Sequence, residues 1–159
     1  MPKSLLFLAL LIIPVGTIKS QSTIDAATAM KMINGCAAYA TSKGQSSAIA
    51  VVDAGGHQIA TWRMDGNGPG IMEFALQKAV AVAHWHFSTA QMETSAKGTP
   101  GFVNAPFVVT VGGGVPVFSA DGKQFLGAVG ASGEAPTDDI ACAEAAVKAA
   151  GFSTGRRGS

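Results

Sequence analysis

Charged side chains are scarce in this 159-residue chain: 13% of residues, 11 Lys and Arg against 10 Asp and Glu, for a formal net charge of +1. No block of like charge occurs before Arg156-Arg157, so neither a nucleic acid nor an anionic membrane surface finds the basic patch it needs. Cysteine is rarer still. Cys36 and Cys142 have no metal-ligand spacing with the histidines. They form either one disulfide closing a long loop or two buried thiols on separate helices. Long apolar runs are also missing. Leu5–Ile13 is unbroken but only nine residues long, too short for a bilayer core of about 30 Å at about 1.5 Å per residue. With Lys3 before it and Pro14-Val15-Gly16 after it, residues 1–20 read as a cleavable signal peptide ahead of Gln21, and hence an exported protein. Common catalytic motifs are absent as well. Gly112-Gly113-Gly114 is not followed by Gly-Lys-Ser/Thr, and Gly130-Ala131-Ser132-Gly133 lacks the G-x-S-x-G spacing. A phosphate loop and a serine hydrolase are thereby excluded.

What the chain does have is periodicity. Ala29, Met30, Ile33, Cys36, Ala37 and Ala40 recur at helical intervals and predict a helix over 26–41, with Ser22, Thr23 or Asp25 as N-cap and Gly44 beyond its end. Residues 47–52 and 57–62 are apolar runs joined by Asp53-Ala54-Gly55-Gly56, a hairpin. A loop, 63–70, leads to a second helix over 71–87, whose Ala75, Ala79, Ala81 and Ala83 permit close packing on a sheet. A short helical turn follows at 89–96. Three further runs, Phe107–Val111, Val115–Ser119 and Phe125–Val129, are separated by Gly112-Gly113-Gly114 and Asp121-Gly122, the turn chemistry of consecutive antiparallel strands. The glycines of this stretch imply close backbone approach, to a ligand or to a neighbouring helix. A last helix starts at Pro136-Thr137-Asp138-Asp139, with Thr137 as a cap, and runs to about Ala150. The tail 152–159 reads as disordered. The expected domain is 21–151, an α+β fold whose five strands form an antiparallel sheet packed with helices.

Few residues are placed for chemistry. His84 and His86 flank Trp85. On a helix, positions i and i+2 diverge and cannot chelate one ion, but an axial bond to a haem iron needs only one imidazole. Arg63, Asp65, Glu73 and Lys78 surround the glycine loop. Asp65 and Glu73 could take iron or a hard cation through oxygen, or Asp65 could pair locally with Arg63. Arg63 could meet an anionic ligand such as a propionate, and Lys78 could be solvated.

Taken together, Ala48–Asp53 with Gly55-Gly56, Arg63-Met64-Asp65-Gly66, Lys78-Ala79, Gly113-Gly114-Val115-Pro116-Val117, and Gly127 to Gly133 with Asp138-Asp139 resemble the GlcG/HbpS family. This family includes extracellular haem-binding proteins and the C-terminal domain of PduO-type proteins. The resemblance runs from Thr23 to Gly151. It implies a profilin-like fold, homo-oligomers, and haem binding, sensing or degradation, with a membrane sensor as a partner of some secreted members. It also implies haem contacts near the second helix and the segment after it. Thr89 occupies the region where the family's threonine ligand lies, with His84 and His86 beside it. The family's acidic iron site matches only loosely onto Asp65 and Glu73. The rival expectation is an enzyme acting on an organic acid or related metabolite, with Arg63 and Lys78 as anion anchors.

Overall fold

A computed structural model describes residues 23–156; the expected signal peptide lies outside them. The element order is α1 (Ala26–Ser42), β1 (Ala48–Asp53), β2 (Gln58–Arg63), α2 (Pro69–Trp85), α3 (Thr89–Gly98), a 3-10 turn (Phe102–Asn104), β3 (Gly114–Phe118), β4 (Phe125–Ser132) and α4 (Pro136–Ala149). The four strands form one antiparallel sheet in the order β2-β1-β4-β3. The fold is therefore α+β as expected, with four strands rather than five.

Alternation along β1 explains the layering. Ile49 and Val51 face a core built with Met32, Ile33, Cys36, Ala143, Ala146 and Val147 of α1 and α4. Ala48, Ala50 and Val52 face Ala75, Ala79, Val82 and Ala83 of α2. A strand covered on both faces reads as an unbroken apolar run because neither set of side chains meets water. Cys36 and Cys142 sit where α1 meets α4 and are joined as a disulfide, with Cα atoms 4.6 Å apart. Of the two thiol states left open by the sequence, the bridge is the one formed.

Asp25 is the N-cap of α1, accepting a 2.7 Å hydrogen bond from the Thr28 amide. The start of α4 differs from expectation. Ala135 is its N-cap, Pro136 opens the first turn, and Thr137 lies inside the helix; proline suits that place because its missing N–H would be unpaired there anyway.

The expected strand 107–111 does not form. Phe107 has φ +59°, outside extended space, and the chain there follows the 3-10 turn alongside α2 instead of joining the sheet. The outer edge of β3 also offers it little to pair with. The Gly114 amide donates to Thr89 Oγ1 at 2.9 Å, Pro116 has no N–H, and the Phe118 amide donates to the Ser153 carbonyl at 2.8 Å. An edge strand protected in this way resists further pairing. The Ser153 bridge also corrects the expectation of a disordered tail: Phe152 packs on the α1/α4 core and Ser153 pairs with Phe118.

Candidate ligand-binding site

The site is built at the C-terminal end of α2. Leu76, Val80 and His84 stand at four-residue intervals and so form one stripe along the helix. Opposite the stripe, the segment after Pro106 is held by the Trp85 indole, whose Nε1–H donates to the Pro106 carbonyl at 3.0 Å. Leu76, Gln77 and Val80 together with Phe107, Val108 and Val109 enclose a groove of about 380 Å³. Its walls are apolar apart from Gln77. Phe107 is 55% exposed, a large apolar ring left in water at the groove's edge.

His84 stands one turn beyond Val80, against Phe107 and so next to this groove, though not among its lining residues. Its ring stacks on Phe107, centroids 3.8 Å apart, and its Nδ1 lies 2.9 Å from the Val80 carbonyl. A carbonyl can only accept, so Nδ1 carries a proton, and it is Nε2 that has the lone pair in the neutral ring. Fixing the tautomer through the far nitrogen is what prepares an imidazole for a metal.

The other residues singled out in the sequence do not converge on this point. Trp85 is the last helical residue because His86 adopts a left-handed conformation, φ 60°; this sends His86 to a different cavity, stacked 4.2 Å from Phe125. Thr89 is fully buried, and its hydroxyl is engaged by the Gly114 amide. Arg63 and Asp65 line a third cavity with Ser46, Trp62 and Met64, where the Arg63 guanidinium donates to the Asn67 carbonyl. Glu73 is exposed on α2. Among the described residues, no group of three or more His, Cys, Asp or Glu is placed to hold a metal ion.

Lys78 is not solvated. It is fully buried, and its ammonium donates to Asp139 Oδ2 and to the Ala131 carbonyl, both at 2.9 Å. Burial pushes the Asp139 carboxyl above the usual carboxylate range, outweighing the opposing pull of Lys78 and of the Glu134 amide. Buried and with its charge answered by Asp139, Lys78 is not placed to anchor an anion beside Arg63. What the sequence did not reveal is the groove wall at 107–109, whose β-branched residues read as a strand. Leu76 and Val80 were missed as well, and their four-residue spacing from His84 is the signal that could have found them.

Residues 24–148 match the family model described as haem degrading protein HbpS-like. The chain belongs to the HbpS-like family. Protein GlcG of Escherichia coli K12 is 41% identical over 88 residues, which is 55% of this chain and 64% of GlcG, less than two thirds of that relative. Among solved structures, the PduOC:heme complex superimposes with a TM-score of 0.76 at 24% identity, covering 84% of this chain and 99% of that one. A double mutant of Streptomyces reticuli HbpS gives 0.73 at 23% identity, covering 89% and 97%. These structures share the HbpS-like fold, helices on an antiparallel sheet.

Proposed function

We propose that this protein binds haem in the groove between α2 and residues 107–109, with His84 Nε2 as the axial ligand. The observation that carries the reading is the His84 ring stacked on Phe107 beside an apolar groove, with Nδ1 held by the Val80 carbonyl: an apolar wall for a porphyrin and one nitrogen available for its iron. Family membership and the heme held by a protein of the same fold support it. At about 380 Å³ the groove lies near the small end of clefts that take drug-sized ligands. It would therefore cover part of a porphyrin and leave the rest to solvent or to a second subunit. Exposed Val103 and Phe107 favour that second subunit, and with it a homo-oligomer. Scavenging, sensing through a membrane partner and degradation would all begin with this binding step.

The test is a haemin titration followed at the Soret band. Saturable binding is expected, with the band shifted and affinity lowered by His84→Ala but not by His86→Asn or Thr89→Val. An unchanged titration for the His84 variant would sink the assignment. Lys78 and Arg63 share no cavity with one another, so the organic-acid enzyme built on that pair gains no support from the geometry.

We also propose that the protein is exported. The Cys36–Cys142 bridge supports this, because structural disulfides persist in oxidising compartments. Mass spectrometry of the protein recovered outside the cytoplasm should find an N-terminus at or near Gln21; an intact N-terminal run on a cytoplasmic protein would refute it.

A further inference from the structure

We propose a second ligand site, independent of the haem groove, that takes a small aromatic carboxylate at the outer edge of β3. The cavity there has a volume of about 210 Å³ and is lined by His86, Phe87, Gln91, Pro116, Phe118, Phe125 and the tail residues 154–156. A separate neighbouring cavity of about 230 Å³ has Gln91, Pro116 and Thr154 in common with it.

Size, wall chemistry and charge each narrow the ligand. A cavity of about 150 Å³ is enough for benzene, so 210 Å³ holds one ring with a substituent and falls short of drug-sized sites. Phe118 and Phe125 meet edge to face at 5.5 Å and, with Phe87 and Pro116, offer the flat apolar surface that a ring needs. The ionisable groups on the first cavity are Arg156 and His86, with no carboxylate; Glu144 lines only the neighbouring cavity. Among the described residues, neither the Arg156 guanidinium nor the His86 ring has a hydrogen-bond partner. A guanidinium with no acid partner among the described residues, lining one cavity with an imidazole and aromatic rings, fits a carboxylate through a paired charge-assisted bond.

Two features show that the cavity is built by the fold. The left-handed turn at His86 aims this side chain away from the haem groove and onto Phe125. The Phe118–Ser153 bridge then fixes the start of the tail that carries Arg156.

Benzoate is the probe, with benzyl alcohol as its neutral counterpart, titrated into the protein and followed by amide chemical shifts. Saturable shifts are expected at residues 117–118, 125 and 153–156. Arg156→Gln should weaken benzoate about tenfold without changing the melting temperature, and benzyl alcohol should bind more weakly by a similar factor. His86→Asn, which keeps a residue tolerant of the left-handed turn, should also weaken it, whereas His84→Ala should not. The site is disproved by shifts centred on Val108 and Val109, by equal affinity for the alcohol, by an Arg156→Gln variant with unchanged affinity, or by no saturable shift at millimolar benzoate. Because His84→Ala separates the two sites, failure here leaves the haem reading standing, and the reverse also holds.

Discussion

Lys78 shows how a single residue can be visible in the sequence and still be misplaced by it. A lysine in a helix is ordinarily solvated, and nothing local marks this one as buried. Its partner Asp139 is 61 residues away on a helix that packs against the opposite face of the sheet. Removing one member of a buried pair strands the other, at a cost of about 3–5 kcal/mol. Asp139→Ala should therefore lower stability by about that much, since the Lys78 charge would have no acid to answer it. Lys78→Met should behave differently with pH. The Asp139 carboxyl is already raised by burial, and without the lysine its pKa would rise further. A carboxyl whose folded pKa exceeds its unfolded value of 3.8 adds stability that is fully present below that value and is lost as pH rises through the folded one. Urea unfolding should thus show the Lys78→Met deficit shrinking on acidification toward pH 3.8, while the Asp139→Ala deficit does not shrink through this carboxyl. Equal pH dependence of the two variants would refute the pairing.

At the scale of elements, two of the glycines that suggested close approach to a ligand or a helix, Gly114 and Gly130, turn out to meet a helix, whereas Gly127 meets the neighbouring strand at Val52. A Cβ on Gly130 would sit 1.9 Å from the Ala75 carbonyl oxygen, and one on Gly114 would sit 2.7 Å from the Lys78 carbonyl. Small residues on α2 and glycines on β3 and β4 are two halves of one contact, and the alanine half was readable from the sequence. Gly130→Ala should wedge α2 off the sheet and cost at least about 1–3 kcal/mol, the range for overpacking. Gly70 on the first turn of α2 has nothing within 4 Å of an added Cβ. Gly70→Ala should be neutral or stabilising by up to about 1 kcal/mol. Thermal melts of the two variants check the pair, and a tolerated Gly130→Ala would show that α2 does not seat so closely. Periodicity and turn chemistry located α1, α2, α4 and the four strands because burial imprints a pattern directly; α3 was expected only as a short helical turn, and the 3-10 turn at Phe102–Asn104 was missed. Periodicity failed at 107–111 because Val108 and Val109, half-buried in the groove beside α2, are the residue types that a strand would use. The positive φ at Phe107 has no local signal in a phenylalanine.

For the molecule as a whole, two cores share one sheet and are secured differently. The α2 side is held by close backbone contact and the Lys78–Asp139 pair. The α1/α4 side is held by the bridge between residues 106 positions apart, beside a contact where a Cβ on Gly35 would stand 2.5 Å from the Ala149 Cβ. The bridge joins the first described helix to the last, so it constrains nearly the whole chain when unfolded. In a chain-entropy account, a loop of this length is worth about 4–5 kcal/mol, a large share of the roughly 5–15 kcal/mol by which domains are stable. Guanidinium unfolding with and without a reductant should therefore separate by that amount. The Cys36→Ala/Cys142→Ala double variant should match the reduced protein and ignore the reductant. If the wild-type midpoint is indifferent to reductant, the bridge is not formed in solution, and the case for an oxidising compartment then rests on the N-terminal apolar run alone. If it shifts, the α1/α4 core depends on oxidation. The groove proposed to bind haem is assembled on the opposite face by α2, so a Soret response there should survive reduction under any condition in which the protein remains folded.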